Sequence, residues 1–150
     1  MATVRDVATY LLVMQDEDAG ERITNLKLQK LCYYAQGFNL ALFGKPLFEE
    51  RIEAWEHGPV VPMLYHSYKM HGWSGIPIPE HFDADALSPD ERGVVDEVAE
   101  VYGQFSAWKL RDMTHAEPPW KDTERGEAIS HHAMQAYFSQ HIVPPPAAIS

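Results

Sequence analysis

One stretch, residues 25–43, constrains the fold more than any other because it is apolar on two sides of a helix. Thr24 or Asn25 caps its start, and Gly44 and Pro46 stop it. At about 100° per residue, one apolar stripe contains Leu28, Leu31, Cys32, Ala35, Phe38 and Leu42. A second stripe, on nearly the opposite side, contains Leu26, Tyr33 and Leu40. A helix that is apolar on two sides is usually buried between layers, so we predict that this is the central helix.

Helix-start signals recur along the rest of the chain. Thr3, with Asp6 three residues on, has the spacing of a capping box, and Ser88-Pro-Asp-Glu91 has the same spacing with Pro at the first helical position. Ser106 and Ser130 cap two further helices. The stretches that follow these caps have apolar residues at helical spacing.

The domain organisation follows from these helices. Gly37 costs about 1 kcal/mol relative to Ala inside the central helix, which indicates a close crossing by another helix. The 150 residues suggest one domain, with no internal repeat and no dividing linker. We therefore predict a mainly α protein, a compact single-domain helical bundle around the central helix. This domain spans residues 1–141, and a Pro-rich C-terminal tail follows at 142–150.

The segment just after the central helix is the richest in residues that form turns or end helices. Residues 47–55 alternate weakly and predict a short strand or extended arm, which Ile76–Pro79 could pair with as an edge. Gly58 lacks a Cβ and allows a sharp turn. Pro59 suits the first position of a helix, which we expect to continue to about Met70.

Composition excludes several classes of protein. The chain has a net charge of −10, which disfavours nucleic-acid binding and either attracts a basic partner or serves solubility alone. A single cysteine, Cys32, rules out an internal disulfide and lies on the apolar stripe, as a core residue rather than a nucleophile does. The start shows no signal peptide, and no apolar run approaches a membrane span. A cytoplasmic location is expected.

Motifs that carry chemistry are scarce. Eight histidines are present, but no His-Glu-x-x-His pattern occurs. The acidic run Asp16–Asp18 lacks the rest of a calcium loop and is interpreted as a solvated turn. No Gly-x-Ser-x-Gly elbow and no phosphate-binding glycine loop occur. The residues therefore favour a binding protein over an enzyme, with no cofactor and no metal. The alternative is a hydrolase or transferase with a histidine or metal site around His57 and His115.

The aromatic residues are the positive evidence for binding. The chain has more large aromatic side chains than the apolar stripes need to fill a core. Tyr and Trp are enriched among the residues that anchor protein interfaces. They could equally fill the core, with their polar atoms hydrogen-bonded. We expect several of this set at a partner surface: Tyr33, Tyr34, Trp55, Tyr65, Tyr68, Trp73, Trp108 and Trp120.

The order of motifs resembles a known family. The motifs are Thr24-Asn-Leu-Lys-Leu-Gln-Lys-Leu31, Tyr34-Ala-Gln-Gly37, Pro46-Leu-Phe48, Ile52-Glu-Ala-Trp55, Gly58-Pro-Val-Val-Pro62, Leu64-Tyr65, Ser106-Ala107, Leu110, Thr114-His115, Pro119-Trp120 and Tyr137-Phe138. Together they resemble the Panacea domain of SocA-type antitoxins, a group that includes phage-associated GepA-like proteins. The resemblance covers about residues 1–141, and the combination is more specific than any single motif.

The resemblance implies a mostly helical domain that neutralises a cognate toxin protein by direct binding. It also implies a role as an adaptor that delivers the toxin to a ClpXP-type protease. No helix-turn-helix region accompanies the matched motifs, so direct DNA binding is not expected. A homo-oligomer is compatible with the sequence. A phage-related interaction protein unrelated to toxins is a third interpretation.

The partner surface is predicted near the matched turns, where polar and aromatic residues crowd outside the buried stripes. The competing interpretation is that the matched positions only specify the fold. The residues predicted to bind the partner are Trp55, Glu56, His57, Pro59, Tyr65, His115 and Trp120.

Overall fold

The fold is mainly α, as predicted. A computed structural model describes residues 1–15 and 22–142. In these ranges the α-helices are α1 (Val4–Met14), α2 (Asn25–Phe43), α3 (Pro62–Tyr68), α4 (Pro89–Tyr102), α5 (Ala107–His115), α6 (Pro118–Lys121) and α7 (His131–Ser139). A two-stranded hairpin consists of β1 (Glu53–Trp55) and β2 (Gly58–Val60). The predicted acidic turn at 16–18 and the tail from 143 onward lie outside the described residues.

Helix α2 lies at the centre, with α7, α4 and α5 as its most extensive helix neighbours. Thr24 caps it by accepting a hydrogen bond from the Lys27 N–H at 3.2 Å, and Gly44 ends it in the left-handed conformation. A Cβ on Gly37 would stand 2.2 Å from the Phe138 ring of α7, so the predicted close crossing is confirmed. The end of the predicted stripe is wrong, because Leu42 is 50% exposed on the last turn of the helix.

Buried polar side chains of α2 hold the segment that follows it. The Gln36 Oε1 atom accepts the Leu47 N–H at 2.7 Å, and its Nε2 donates to the Phe48 carbonyl at 2.7 Å. These bonds satisfy backbone groups that have no strand partner, since an unpaired buried N–H or C=O group is costly. The start of the arm is therefore fixed by a helix side chain, and only its last three residues form a strand.

The strand pairing differs from the prediction. β1 pairs with β2 in the register Glu53↔Val60 and Trp55↔Gly58, and not with residues 76–79. The helix expected at Pro59 begins at Pro62 instead. Pro59 is tolerated in a strand because its missing N–H costs no ladder bond there. It faces Ala54, whose own N–H donates to the Glu127 carbonyl on the other side of β1.

The remaining helix starts agree with the sequence. Thr3 and Ser88 form complete capping boxes, and Ser106 and Ser130 cap α5 and α7 through their hydroxyls. Cys32 is fully buried, as predicted. Val101 of α4 is 41% exposed, because the last turn of that helix faces a groove. No helix among the described residues is long and apolar enough to cross a bilayer.

Candidate protein-binding site

The β1–β2 hairpin carries the candidate site at its tip. Glu56 and His57 form its two-residue turn, and Gly58 has φ 112°, a conformation that side chains disfavour. A Cβ on Gly58 would also come within 2.6 Å of Lys30 Cε and 2.9 Å of Thr114 Oγ1. The hairpin can therefore lie flat on α2 and α5 only with glycine at this position.

A groove of about 360 Å³ opens beside the hairpin tip. We call it the hairpin groove, and its walls are side chains from the hairpin, α3 and the loop after it. Residues that line it are Asn25, Leu26, Gln29, Trp55, Glu56, His57, Val60, Tyr65, Lys69, Gly72 and Trp73. Four of the seven residues predicted to bind a partner, Trp55, Glu56, His57 and Tyr65, are brought together here.

The floor of the groove is a hydrogen-bonded amide pair at the start of α2. The Gln29 Nε2 donates to Asn25 Oδ1 at 2.9 Å, while Gln29 Oε1 accepts the Val61 N–H at 2.9 Å. The Asn25 Nδ2 donates to the Tyr65 carbonyl at 3.0 Å. These bonds fix the entry to α3 relative to α2, so the floor is rigid before any partner arrives.

Aromatic side chains form one wall. The Trp55 and Tyr65 rings meet edge to face with centroids 5.1 Å apart. The Trp55 indole donates to Glu53 Oε1 at 2.9 Å, and Arg51 forms an ion pair with the same carboxylate. Trp55 is therefore held in place where it lines the groove, and it is partly exposed there.

A second aromatic feature extends the groove at its edge. The Trp73 and Trp108 rings stack with centroids 5.9 Å apart, and the two residues are 71% and 51% exposed. His57 meets Trp108 edge to face, and the Arg111 guanidinium lies 5.5 Å from the centre of the Trp108 ring. We call Trp73 and Trp108 the tryptophan pair. Exposed rings this large are uncommon away from interaction surfaces.

Arg111 fixes the position of the His57 ring. Its Nε donates to His57 Nδ1 at 3.2 Å, and its Nη1 forms an ion pair with Asp112 at 3.1 Å. Because the arginine side chain has no acceptor group, Nδ1 is the accepting atom of this hydrogen bond, and it holds the His57 ring beside α5.

Pro59, His115 and Trp120 are not groove residues. Pro59 is buried in β2, and its carbonyl accepts a hydrogen bond from Lys30 Nζ at 3.2 Å. The His115 and Trp120 rings stack at 3.9 Å, and the Trp120 indole donates to the Trp55 carbonyl at 2.8 Å. Burial and the charge of Arg111 lower the pKa of His115. Pro59 is thus part of the hairpin itself, whereas His115 and Trp120 lie against the hairpin and position it.

Two ionisable side chains are buried in the scaffold around the site. Lys30 is fully buried, and burial together with Arg111 lowers its pKa to about 7. Glu117 accepts the hydroxyls of Tyr33 and Tyr34 at 3.0 and 2.7 Å, and burial raises its pKa to about 7. Helical spacing did not identify either of them, because the pattern of apolar residues carries no information on buried charges.

The described part of the chain contains no set of ligands for the alternative metal site around His57 and His115. Over residues 1–15 and 22–142, no group of three histidine, cysteine, aspartate or glutamate side chains could hold an ion. His57 has one ring nitrogen engaged by Arg111, and His115 lies flat on Trp120. What the site offers is aromatic surface with a few fixed donors and acceptors, which is the chemistry of protein recognition.

Comparison with known proteins identifies the family to which this helical domain belongs. A family model described as "Antitoxin SocA-like, Panacea domain" matches residues 28–121, so the chain belongs to this family. Antitoxin SocA of Caulobacter vibrioides is 34% identical over 110 residues, covering 65% of this chain. The chain spans 58% of the length of that relative. No solved structure matches.

Proposed function

We propose that the protein is an antitoxin that neutralises a cognate toxin protein by direct contact, without an enzymatic step. Membership in the SocA-like antitoxin family supports the role. The contact surface we propose is the hairpin groove together with the tryptophan pair. The exposed stack of Trp73 on Trp108 carries this assignment, because the core makes little use of either ring.

The chemistry of this surface suits a protein partner. Aromatic anchors supply most of the binding energy in interfaces when a pocket is at hand. Trp55 and Tyr65 provide such a pocket wall, and the amide floor is already ordered. Glu56 and Lys69, both exposed, add charges of opposite sign that orient a partner more than they hold it.

Neutralisation can follow from steric block or from delivery of the toxin to a ClpXP-type protease. Block predicts that the toxin persists in the cell as an inactive complex. Delivery predicts that its half-life shortens when this protein is present and recovers when the protease is deleted. Measuring toxin half-life in both backgrounds separates the two modes.

The primary test is co-expression with the product of the neighbouring gene, followed by a pull-down. We expect that product to arrest growth alone, and this protein to restore growth and co-purify with it. A harmless neighbour, or rescue without a complex, would count against direct neutralisation.

Substitution of the tryptophan pair tests the surface. Trp73→Ala and Trp108→Ala should each weaken toxin binding by about 30-fold, the effect of losing an anchor worth about 2 kcal/mol. Met70→Ala is the matched control, since Met70 is 78% exposed and lines no part of the hairpin groove. Circular dichroism melting confirms that each variant is folded.

Charge reversal tests the hairpin tip. Glu56→Lys and His57→Glu should weaken the complex, whereas Glu80→Lys, also at an exposed position, should not. Unchanged binding by the first two variants would remove the hairpin tip from the contact surface.

A further inference from the structure

A second groove lies between α2 and α4 and shares no residue with the hairpin groove. Its volume is about 500 Å³, within the range of ligand clefts. We call it the α2–α4 groove, and the residues that line it include Phe38, Leu42, Glu97, Val98, Val101 and Tyr102.

The groove leaves apolar side chains open to solvent on both helices. Leu42 is 50% exposed on α2, and Val101 is 41% exposed on α4. Phe38 and Tyr102 meet at the base, with ring centroids 6.0 Å apart. Phe38 and Leu42 are one helical turn apart and form an apolar ridge on α2. Val98 and Val101 form a second ridge on α4, and the channel runs between the two ridges. An open apolar channel of this kind usually marks an interaction site.

The charge beside the channel is negative. Glu97 lines it, and Glu100 is exposed about one turn further along the same helix. No lysine or arginine is among the lining residues of this groove in the described part of the chain. A complementary occupant therefore combines an apolar stripe with basic flanks.

We propose that the α2–α4 groove binds a basic amphipathic helix of a partner protein. Channels between two helices accept a third helix that presents apolar residues three and four positions apart. In this geometry the apolar stripe contacts Leu42, Val98 and Val101, and lysine or arginine side chains reach Glu97 and Glu100. This interaction is separate from toxin contact at the hairpin groove, so the two partners can bind together.

Charge distinguishes this occupant from two others. A second copy of the chain docking through the same face brings two acidic α4 helices together, which opposes association. The chain's own residues 143–150 contain no lysine or arginine and so cannot complement Glu97. Both alternatives nevertheless have defined outcomes in the test.

The test uses the full chain and a fluorescein-labelled peptide of about 18 residues, or five helical turns. Its leucines form one stripe, and lysines flank them. Fluorescence anisotropy should show saturable binding of this peptide. A scrambled peptide of the same composition should bind about tenfold more weakly or worse. Val101→Ser and Glu97→Lys should each weaken binding about tenfold. Met70→Ser and Glu80→Lys, matched changes at exposed positions outside the groove, should leave it unchanged.

Four outcomes overturn the proposal. Equal binding of the scrambled peptide shows charge attraction alone, and equal binding by Val101→Ser places the peptide elsewhere. At least tenfold tighter binding by a chain ended after Ile142 shows that residues 143–150 occupy the groove. A dimer in sedimentation velocity that Val101→Ser dissociates identifies a second copy as the occupant. Melting curves establish that each variant is folded before its binding is compared.

Discussion

At the residue scale, the least expected feature is that two buried ionisable side chains, Lys30 and Glu117, hold neighbouring segments in place by hydrogen bonds. Lys30 spans the space under the hairpin with its Nζ on the Pro59 carbonyl, and its buried stem touches the site where a Gly58 side chain would stand. Glu117 ties two adjacent tyrosines of α2 to the start of α6. Each group holds a neighbouring segment at the cost of placing an ionisable group in the interior.

Lys30 should give the protein a stability that rises with pH. Its pKa is about 7 in the folded chain and returns to the ordinary 10.5 on unfolding, so between these values the unfolded chain binds more protons. The free energy of unfolding therefore increases between about pH 7 and 10.5, by at most about 1.4 kcal/mol per pH unit. Lys30→Met should remove this increase. Urea unfolding at each pH measures it, and parallel profiles for both chains would contradict the pKa assigned to Lys30.

Glu117 should make the free energy of unfolding change with pH in the opposite direction, and over a lower pH range. Its pKa of about 7 lies above the ordinary value of 4.5, so the folded chain binds more protons between these values. The free energy of unfolding should fall as pH rises from about 4.5 to 7, by up to about 3 kcal/mol. Glu117→Gln should abolish this component. The difference between the two chains cancels the histidines, including His115, and is the quantity to plot.

At the element scale, the contact of α2 with α7 requires glycine at position 37, because there is no room for a side chain there. Gly37→Ala should destabilise the protein by about 1–3 kcal/mol, because the new Cβ would overlap the Phe138 ring. Gly93→Ala in α4 is the matched control, since nothing lies within 4 Å of its Cβ position. That change should stabilise by about 0.5–1 kcal/mol through helix propensity. Equal effects in denaturant unfolding would mean that α7 moves away freely.

The same scale shows what the sequence can and cannot predict. Helix starts were predictable because a cap is a local arrangement, complete within four residues, as at Ser88. The hairpin was missed because the next paired strand begins with Gly-Pro, a dipeptide more typical of turns. Trp55, Glu56 and His57 could be placed together because they are neighbours in the chain. Trp108 could not, since only the packing of α5 brings it to the groove.

At the scale of the whole molecule, the net charge of −10 should act on stability as well as on partners. Self-repulsion of a charged compact state weakens as salt screens it. Raising NaCl from about 0.02 to 0.3 M should increase Tm by about 2–4 °C, the effect of about 1 kcal/mol in a chain of this size.

The control for this salt effect is the Glu97→Lys, Glu100→Lys double variant. Each reversal raises the net charge by two, so this chain has a net charge of −6 instead of −10. Its response to salt should be smaller. An equal or larger response would indicate specific ion binding and not general screening.

The packing of α7 on α2 also has a consequence for the protein while it is being made. Helix α2 ends at Phe43 and its most extensive partner, α7, ends at Ser139, so a nascent chain contains the first long before the second. At about 5–20 residues per second, synthesis leaves one side of α2 uncovered for roughly 5 to 20 seconds. Chains interrupted in that interval expose an apolar helix to chaperones and degradation. The supply of finished protein should therefore drop sharply when translation slows.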